Sequence, residues 1–181
     1  MDDLHMEANA VEYPLHEAAR EGNIASLKHI LSLPRTNVND IDQYGLTALH
    51  WACDHASDNT AALELLAAGA DVNDIEQRLF KRRPIHFAAL RGSVSMLKLL
   101  IEHGADVNAC DGQGKTALHC AAHGGYQDVV THLLDEQCDA CVVTKEGQTA
   151  LHLAMLNGQS SVGDYLRQRC PELEAMSRQV C

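Results

Sequence analysis

Thr47-Ala48-Leu49-His50 recurs as Thr116-Ala117-Leu118-His119 and again as Thr149-Ala150-Leu151-His152. Tyr13-Pro14-Leu15-His16 and Arg83-Pro84-Ile85-His86 are degraded copies, and the five histidines step by 34, 36, 33 and 33 residues. Self-similarity at such a period constrains a chain more than any other feature. It predicts one supersecondary unit per repeat, each burying its apolar side against the next.

The residues within the period name the unit. A small pair follows each His region: Ala18-Ala19, Ala52-Cys53, Ala88-Ala89, Ala121-Ala122 and Ala154-Met155. An apolar second segment then ends in Leu65-Leu66, Leu99-Leu100 or Leu133-Leu134, and Gly69-Ala70-Asp71-Val72-Asn73 and Gly104-Ala105-Asp106-Val107-Asn108 come after. Leu15, Ala18 and Ala19, and then Leu27, Ile30 and Leu31, are spaced by three and four, which puts each set on one helical face. Thr47, Thr116 and Thr149 are expected to cap helix N-termini by accepting an orphan amide, and Pro14 and Pro84 suit a first helical turn. Gly69 and Gly104 stand where a left-handed residue ends a helix. Over residues 13 to 166 the pattern resembles the ankyrin repeat. The resemblance implies an all-α solenoid of stacked helix-turn-helix units with β-turn or hairpin fingers. We expect a single domain: an N-terminal cap at 1–12, repeats at about 13–45, 46–79, 80–114, 115–147 and 148–166, and a polar C-terminal tail at 167–181.

Departures from the pattern mark local differences. Tyr13 and Arg83 replace the capping Thr, at a cost of about 1 kcal/mol each. One extra residue lies within Asp54 to Thr60, and the finger between Asn73 and His86 is two residues longer than that between Asn108 and His119. Gln137 stands where Gly104 aligns, and Gly163 falls inside the last helix, where Gly costs about 1 kcal/mol relative to Ala. The last repeat is therefore expected to behave as a frayed cap.

Charge and cysteine content narrow the function. The formal net charge is −11, from 25 acidic and 14 basic residues, which repels phosphate backbones and anionic lipid. Neither nucleic acid nor a membrane is expected as partner, and the chain is expected to be monomeric. No apolar run reaches the ~20 residues of a membrane span, and Met1 to His5 lacks the features of a secretory signal, so a cytosolic or nuclear location is expected. The seven cysteines are scattered and odd in number; we read them as reduced.

Several motifs suggest chemistry that the repeat explains better. Zinc ligands sit about 2 Å from the metal, whereas stacked helices lie ~8 to 10 Å apart, so equivalent histidines of successive repeats cannot share an ion. They are expected to hydrogen-bond between repeats. Cys138 and Cys141 form a lone C-x-x-C at positions matching Ala105 and Asn108; without a second pair it is a weak metal or redox signal. Gly112-Gln113-Gly114-Lys115-Thr116 looks like part of a phosphate loop, but Ala109 holds the place of its first glycine. No nucleophile–base or paired-carboxylate arrangement stands out. We expect no enzyme activity, no cofactor and no metal.

The resemblance implies a protein-binding module, a scaffold or adaptor, whose partner docks on the concave face. First-helix positions left free by the repeat include Arg20, Glu21, Asp54, His55, Leu90, Arg91, His123, Gly124, Leu156 and Asn157. Finger positions include Gln43, Tyr44, Leu46, Gln113, Lys115, Lys145, Glu146 and Gln148. Within an acidic chain, Gln77-Arg78-Leu79-Phe80-Lys81-Arg82-Arg83 is a basic and apolar cluster in the elongated third finger. Aromatic and Arg side chains dominate binding hot spots, so Arg78, Phe80, Lys81 and Arg82 are candidates for an acidic, apolar peptide or domain. The alternative is a solvated loop with Leu79 and Phe80 folded onto the stack. Trp51, Phe87 and Leu153, each following a repeat His, are expected to pack between repeats. Asn39, Asn73 and Asn108 are expected to hydrogen-bond in their turns, and family resemblance implies that such asparagines can be substrates of asparaginyl hydroxylases. Two other functions stay open: an inhibitor or targeting subunit of an enzyme, and a metal- or redox-dependent sensor built on Cys138 and Cys141.

Overall fold

Helices of seven to ten residues are too short to persist alone in water, so each must be held by a neighbour. The computed structural model describes residues 13–55 and 58–177, and in it the helices come in antiparallel pairs. The pairs are α1 (Pro14–Glu21) with α2 (Ile24–Leu31), α3 (Ala48–His55) with α4 (Thr60–Ala67), α5 (Pro84–Arg91) with α6 (Val94–Glu102), α7 (Ala117–Gly124) with α8 (Gln127–Asp135), and α9 (Ala150–Leu156) with α10 (Ser160–Arg169). First helices stack on first helices and second on second, giving two rows with one continuous apolar core. Leu49, Leu65, Ile85, Leu97, Leu100, Leu118, Leu133 and Leu151 are among its largest closed-in side chains. Alanines dominate the inner row, which lets neighbouring backbones approach closely. Among the described residues the only β-bridge is a single pair, Ile41 with Thr47.

The repeated histidine does two jobs at once. His50 Nδ1 accepts the Thr47 amide at 3.2 Å, so this nitrogen carries no proton; Nε2 does, and donates to the Arg82 carbonyl of the next repeat at 3.2 Å. His86 likewise takes the Arg83 amide at 3.1 Å and donates to Ala109 and Lys115 carbonyls at 3.0 and 3.1 Å. His119 takes the Thr116 amide and reaches Gln148 at 3.2 Å. Burial pushes the pKa of His50, His86 and His119 below the usual histidine value, only partly offset by the backbone bonds. All three are neutral at pH 7. His16 Nε2 contacts the Asp40 carbonyl at 2.9 Å, while buried His152 Nε2, at the end of the row, has no such partner among the described residues.

Thr149 caps its helix as expected, whereas the hydroxyls of Thr47 and Thr116 turn to a histidine ring. Thr116 caps no amide; its hydroxyl lies 2.9 Å from His119 Nδ1, and Thr47 places its own 2.8 Å from His50 Nδ1. Because the third helical residue is a histidine whose ring folds back, the hydroxyl meets the ring first. Only Thr149 also accepts an amide, that of His152 at 3.4 Å. Arg83 keeps the amide half of this arrangement without the hydroxyl.

Asparagines clasp one repeat to the next. Asn39 Oδ1 accepts the Asp71 amide at 2.9 Å, Asn73 the Asp106 amide at 3.0 Å, and Asn108 the Asp139 amide at 2.8 Å. Cys141 holds the next Asn position and cannot continue the series. Gly69 and Gly104 are left-handed at φ 91° and 87°, and Gln137 adopts φ 58° in their place. The C-terminal region is more ordered than a polar tail: α10 runs to Arg169, and α11 (Glu172–Ser177) buries Leu173. Gly163 faces Leu151 and Met155 in α10. The expected cap at 1–12 and part of the Asp54–Thr60 insertion lie outside the described residues.

Candidate protein-binding surface

Each finger among the described residues closes on one side chain at its base. Asp42 Oδ1 accepts the amides of Tyr44 and Leu46 at 2.8 and 3.0 Å, and Asp111 Oδ1 those of Gln113 and Lys115 at 2.7 and 2.9 Å. Thr144 Oγ1 does the same for Glu146 and Gln148 at 3.3 Å. The N–H groups of the Gly112–Thr116 segment are thus all taken internally, Gln113 and Lys115 by the Asp111 carboxylate, Gly112 and Gly114 by the Phe80 and Asp111 carbonyls, and Thr116 by His119, which is incompatible with cradling a phosphate. Sequence reasoning missed Asp42, Glu76, Asp111 and Thr144, although they recur at steps of 34, 35 and 33 residues, close to the period of the histidines.

Glu76 is the base of the long third finger. Its amide donates to the Arg82 carbonyl at 2.8 Å, as that of Asp111 does to Lys115, but across a loop two residues longer. The extra methylene of Glu over Asp lets the carboxylate fill that larger loop. Oε1 accepts the amides of Arg78, at 2.7 Å, and Leu79; Oε2 accepts those of Phe80 and Lys81 at 2.7 and 2.9 Å. Burial pushes the Glu76 carboxyl up, but the four amides together outweigh it and leave the pKa below the usual glutamate value. Backbone bonds link successive tips: Gln77 to the Gly45 carbonyl, Gly112 to Phe80 and Lys145 to Gln113. The third finger is therefore held at its base and on both sides.

Its tip faces outward: Leu79 is 74% exposed and Phe80 39%. Of the four cations, two turn inward. Arg82 lies with its guanidinium 4.4 Å from the Phe80 ring centroid and Nε 3.5 Å from Asp111, and Arg83 reaches Asp106 at 3.6 Å. Arg78 and Lys81 remain exposed. Tyr44, Leu46, Glu76, Leu79, Phe80, Arg82 and Phe87 enclose a mainly apolar hollow of about 150 Å³ between the second and third fingers. The fold thus brings Tyr44, Leu46, Phe80 and Arg82 together, with Arg78 and Lys81 on the same finger.

The other candidates lie elsewhere. Asp54 and Arg91 bind each other through two bonds of 2.8 and 2.9 Å, and His55 Nδ1 sits 2.9 Å from the same carboxylate. Leu90 is half-buried on α5, Lys115 half-buried on the fourth finger, and His123 exposed at the end of α7. None of these six lines the hollow. Trp51 and Phe87 are only half-buried, and each lines a hollow; Leu153 is buried. Burial pushes the Cys138 thiol up to about 12, keeping it protonated at neutral pH and a poor ligand or nucleophile. Among the described residues no group of His, Cys, Asp and Glu could hold a metal ion, and no helix is long and apolar enough to cross a membrane.

The family model for ankyrin repeats matches three times, over residues 2–76, 56–144 and 85–176. The chain belongs to the ankyrin-repeat family. Ankyrin-repeat relatives include a protein of Acanthamoeba polyphaga mimivirus, 35% identical over 58% of this chain and 13% of its own length. Ankyrin repeat and SOCS box protein 11 of Danio rerio is 36% identical over 63% of this chain and 37% of its own. Palmitoyltransferase AKR1 of Kluyveromyces lactis is 34% identical over 58% and 14% respectively. The chain thus spans well under half the length of these relatives. Ankyrin repeats generally mediate protein–protein interaction and are typically non-catalytic.

Proposed function

We propose that this chain binds a protein partner through its first-helix face and elongated third finger, as a scaffold or adaptor without catalytic activity. The third finger carries the reading. Two apolar side chains are held out to solvent beside an apolar hollow, on a loop that four amide bonds to Glu76 fix in place. A loop ordered before binding loses little entropy on docking. Arg78 and Lys81, exposed on the same finger, favour a partner segment that pairs a large apolar residue with carboxylates. A single-chain protein in the cytosol or nucleus belongs to the same proposal; the unpaired cysteines fit a reducing compartment.

Photo-crosslinking at Leu79, with Lys98 on the outer row as control, tests it. A partner captured from Leu79 and not from Lys98 is expected. Its reconstituted complex should weaken at least about tenfold in Leu79→Ala/Lys81→Glu, with an unchanged melting temperature. Equal crosslinking at both positions, or unchanged affinity, would remove the third finger from the site. Arg82→Glu is unsuitable, since it sets a carboxylate against Asp111.

A further inference from the structure

A second hollow, of about 340 Å³, lies on the other side of Tyr44, between the first and second repeats. Tyr13, Tyr44 and Trp51 line it, with His16, Gln43, Arg20 and the carboxylates of Glu17 and Asp42. Aromatic faces are negative and edges positive, so rings gathered with carboxylates make an environment that favours a cation. We propose that this hollow receives an alkylammonium group, the side chain of a lysine, methylated or not, presented by a protein partner.

The walls are fixed in advance. Asp42 is only 8% exposed, and its Oδ2 accepts the Trp51 indole N–H at 2.7 Å while Oδ1 holds the second finger closed. The indole plane is therefore set by the same residue that shapes the loop. Tyr44, 52% exposed, lies across from Trp51 with 6.2 Å between centroids and the ring planes at 69°. At the rim, Glu17 is hydrogen-bonded to Arg20. The protein thus holds its own guanidinium beside the hollow, and an incoming ammonium competes with it for Glu17.

Tyr44 also walls the smaller apolar hollow under the third finger. On an extended segment, alternate side chains share a face about 7 Å apart. A chain laid across Tyr44 places a lysine on one side and a large apolar residue two positions away on the other. This part rests on the protein-binding role proposed above; the ammonium site itself does not.

Trp51 is the sole tryptophan of the chain, so its fluorescence reports the site directly. Choline is expected to change the emission saturably in the millimolar range. Its neutral isostere, 3,3-dimethylbutan-1-ol, should bind about tenfold more weakly, as loss of a cation–π attraction of this kind requires. Tyr44→Ala should abolish saturation without moving the melting temperature, Arg20→Ala should tighten choline binding severalfold, and Leu79→Ala/Lys81→Glu should leave it unchanged. Equal binding of the neutral alcohol, a response linear in choline, or an unaffected Tyr44→Ala variant would each overturn the assignment. A peptide with lysine two positions from leucine should bind more tightly than one with the two adjacent; equal affinity would overturn the paired arrangement while leaving the ammonium site standing.

Discussion

Phe80 and Glu76 are joined through the Phe80 amide and Oε2 at 2.7 Å, so the exposed aromatic of the third finger is positioned by the carboxylate at its base. Glu76→Gln keeps the size but loses the charge and one acceptor oxygen. A loss of about 1 to 3 kcal/mol is expected by chemical denaturation. The pH dependence separates charge from shape. The folded-state pKa of Glu76 lies below its unfolded value, so its stabilisation is complete above about 4.3 and declines as pH falls further, where the unfolded chain binds the proton first. Glu76→Gln should lack this part of the acid decline. Identical profiles below pH 4.3 would show that the amides do not depend on the charge.

A second decline should appear at milder acidity. His50, His86 and His119 have lowered pKa values in the fold, so unfolded chains take up protons first as pH drops below about 6.5. Denaturation midpoints should therefore fall between pH 7 and 5, and less steeply in His86→Gln. If the two slopes coincide, His86 is not held neutral by the stack.

Leu100 is fully buried in the core at α6. Leu100→Ala should cost about 2 to 5 kcal/mol, read from urea midpoints. A change within experimental noise would be inconsistent with the register of the third repeat.

Gln137 occupies a left-handed position at φ 58° that Gly69 and Gly104 fill elsewhere. A side chain there costs about 1 to 2 kcal/mol, and glycine's greater freedom when unfolded returns part of that. Gln137→Gly should raise stability by up to about 1 kcal/mol in a thermal melt. A lower melting temperature would mean that the Gln side chain contributes contacts worth more than the strain.

The repeat made the helices, their stacking and the histidine bonds legible, because each is dictated by residues that return at one spacing. Asp42, Glu76, Asp111 and Thr144 return at nearly the same spacing, yet they differ in type, and their common task of gathering amides emerges only once the loops are folded. The cluster at 77–83 was visible as composition. That Arg82 turns toward Asp111 while Arg78 stays outside was not, since both are cations of one loop and only the three-dimensional position of Asp111 separates them. The hollow around Trp51 was hidden for a similar reason: Tyr13, Tyr44 and Trp51 sit in different segments of the period, and no spacing rule brings them together.

The asparagine clasps join the first four loops in succession and stop at Cys141. A row of coupled units opens where the coupling is weakest. Local unfolding should therefore begin at α9 to α11 and travel toward the N-terminus, and amide exchange should slow progressively in that direction. The second and third fingers, which carry both hollows, lie within the clasped part. They can keep their shape while the far end of the molecule opens and recloses.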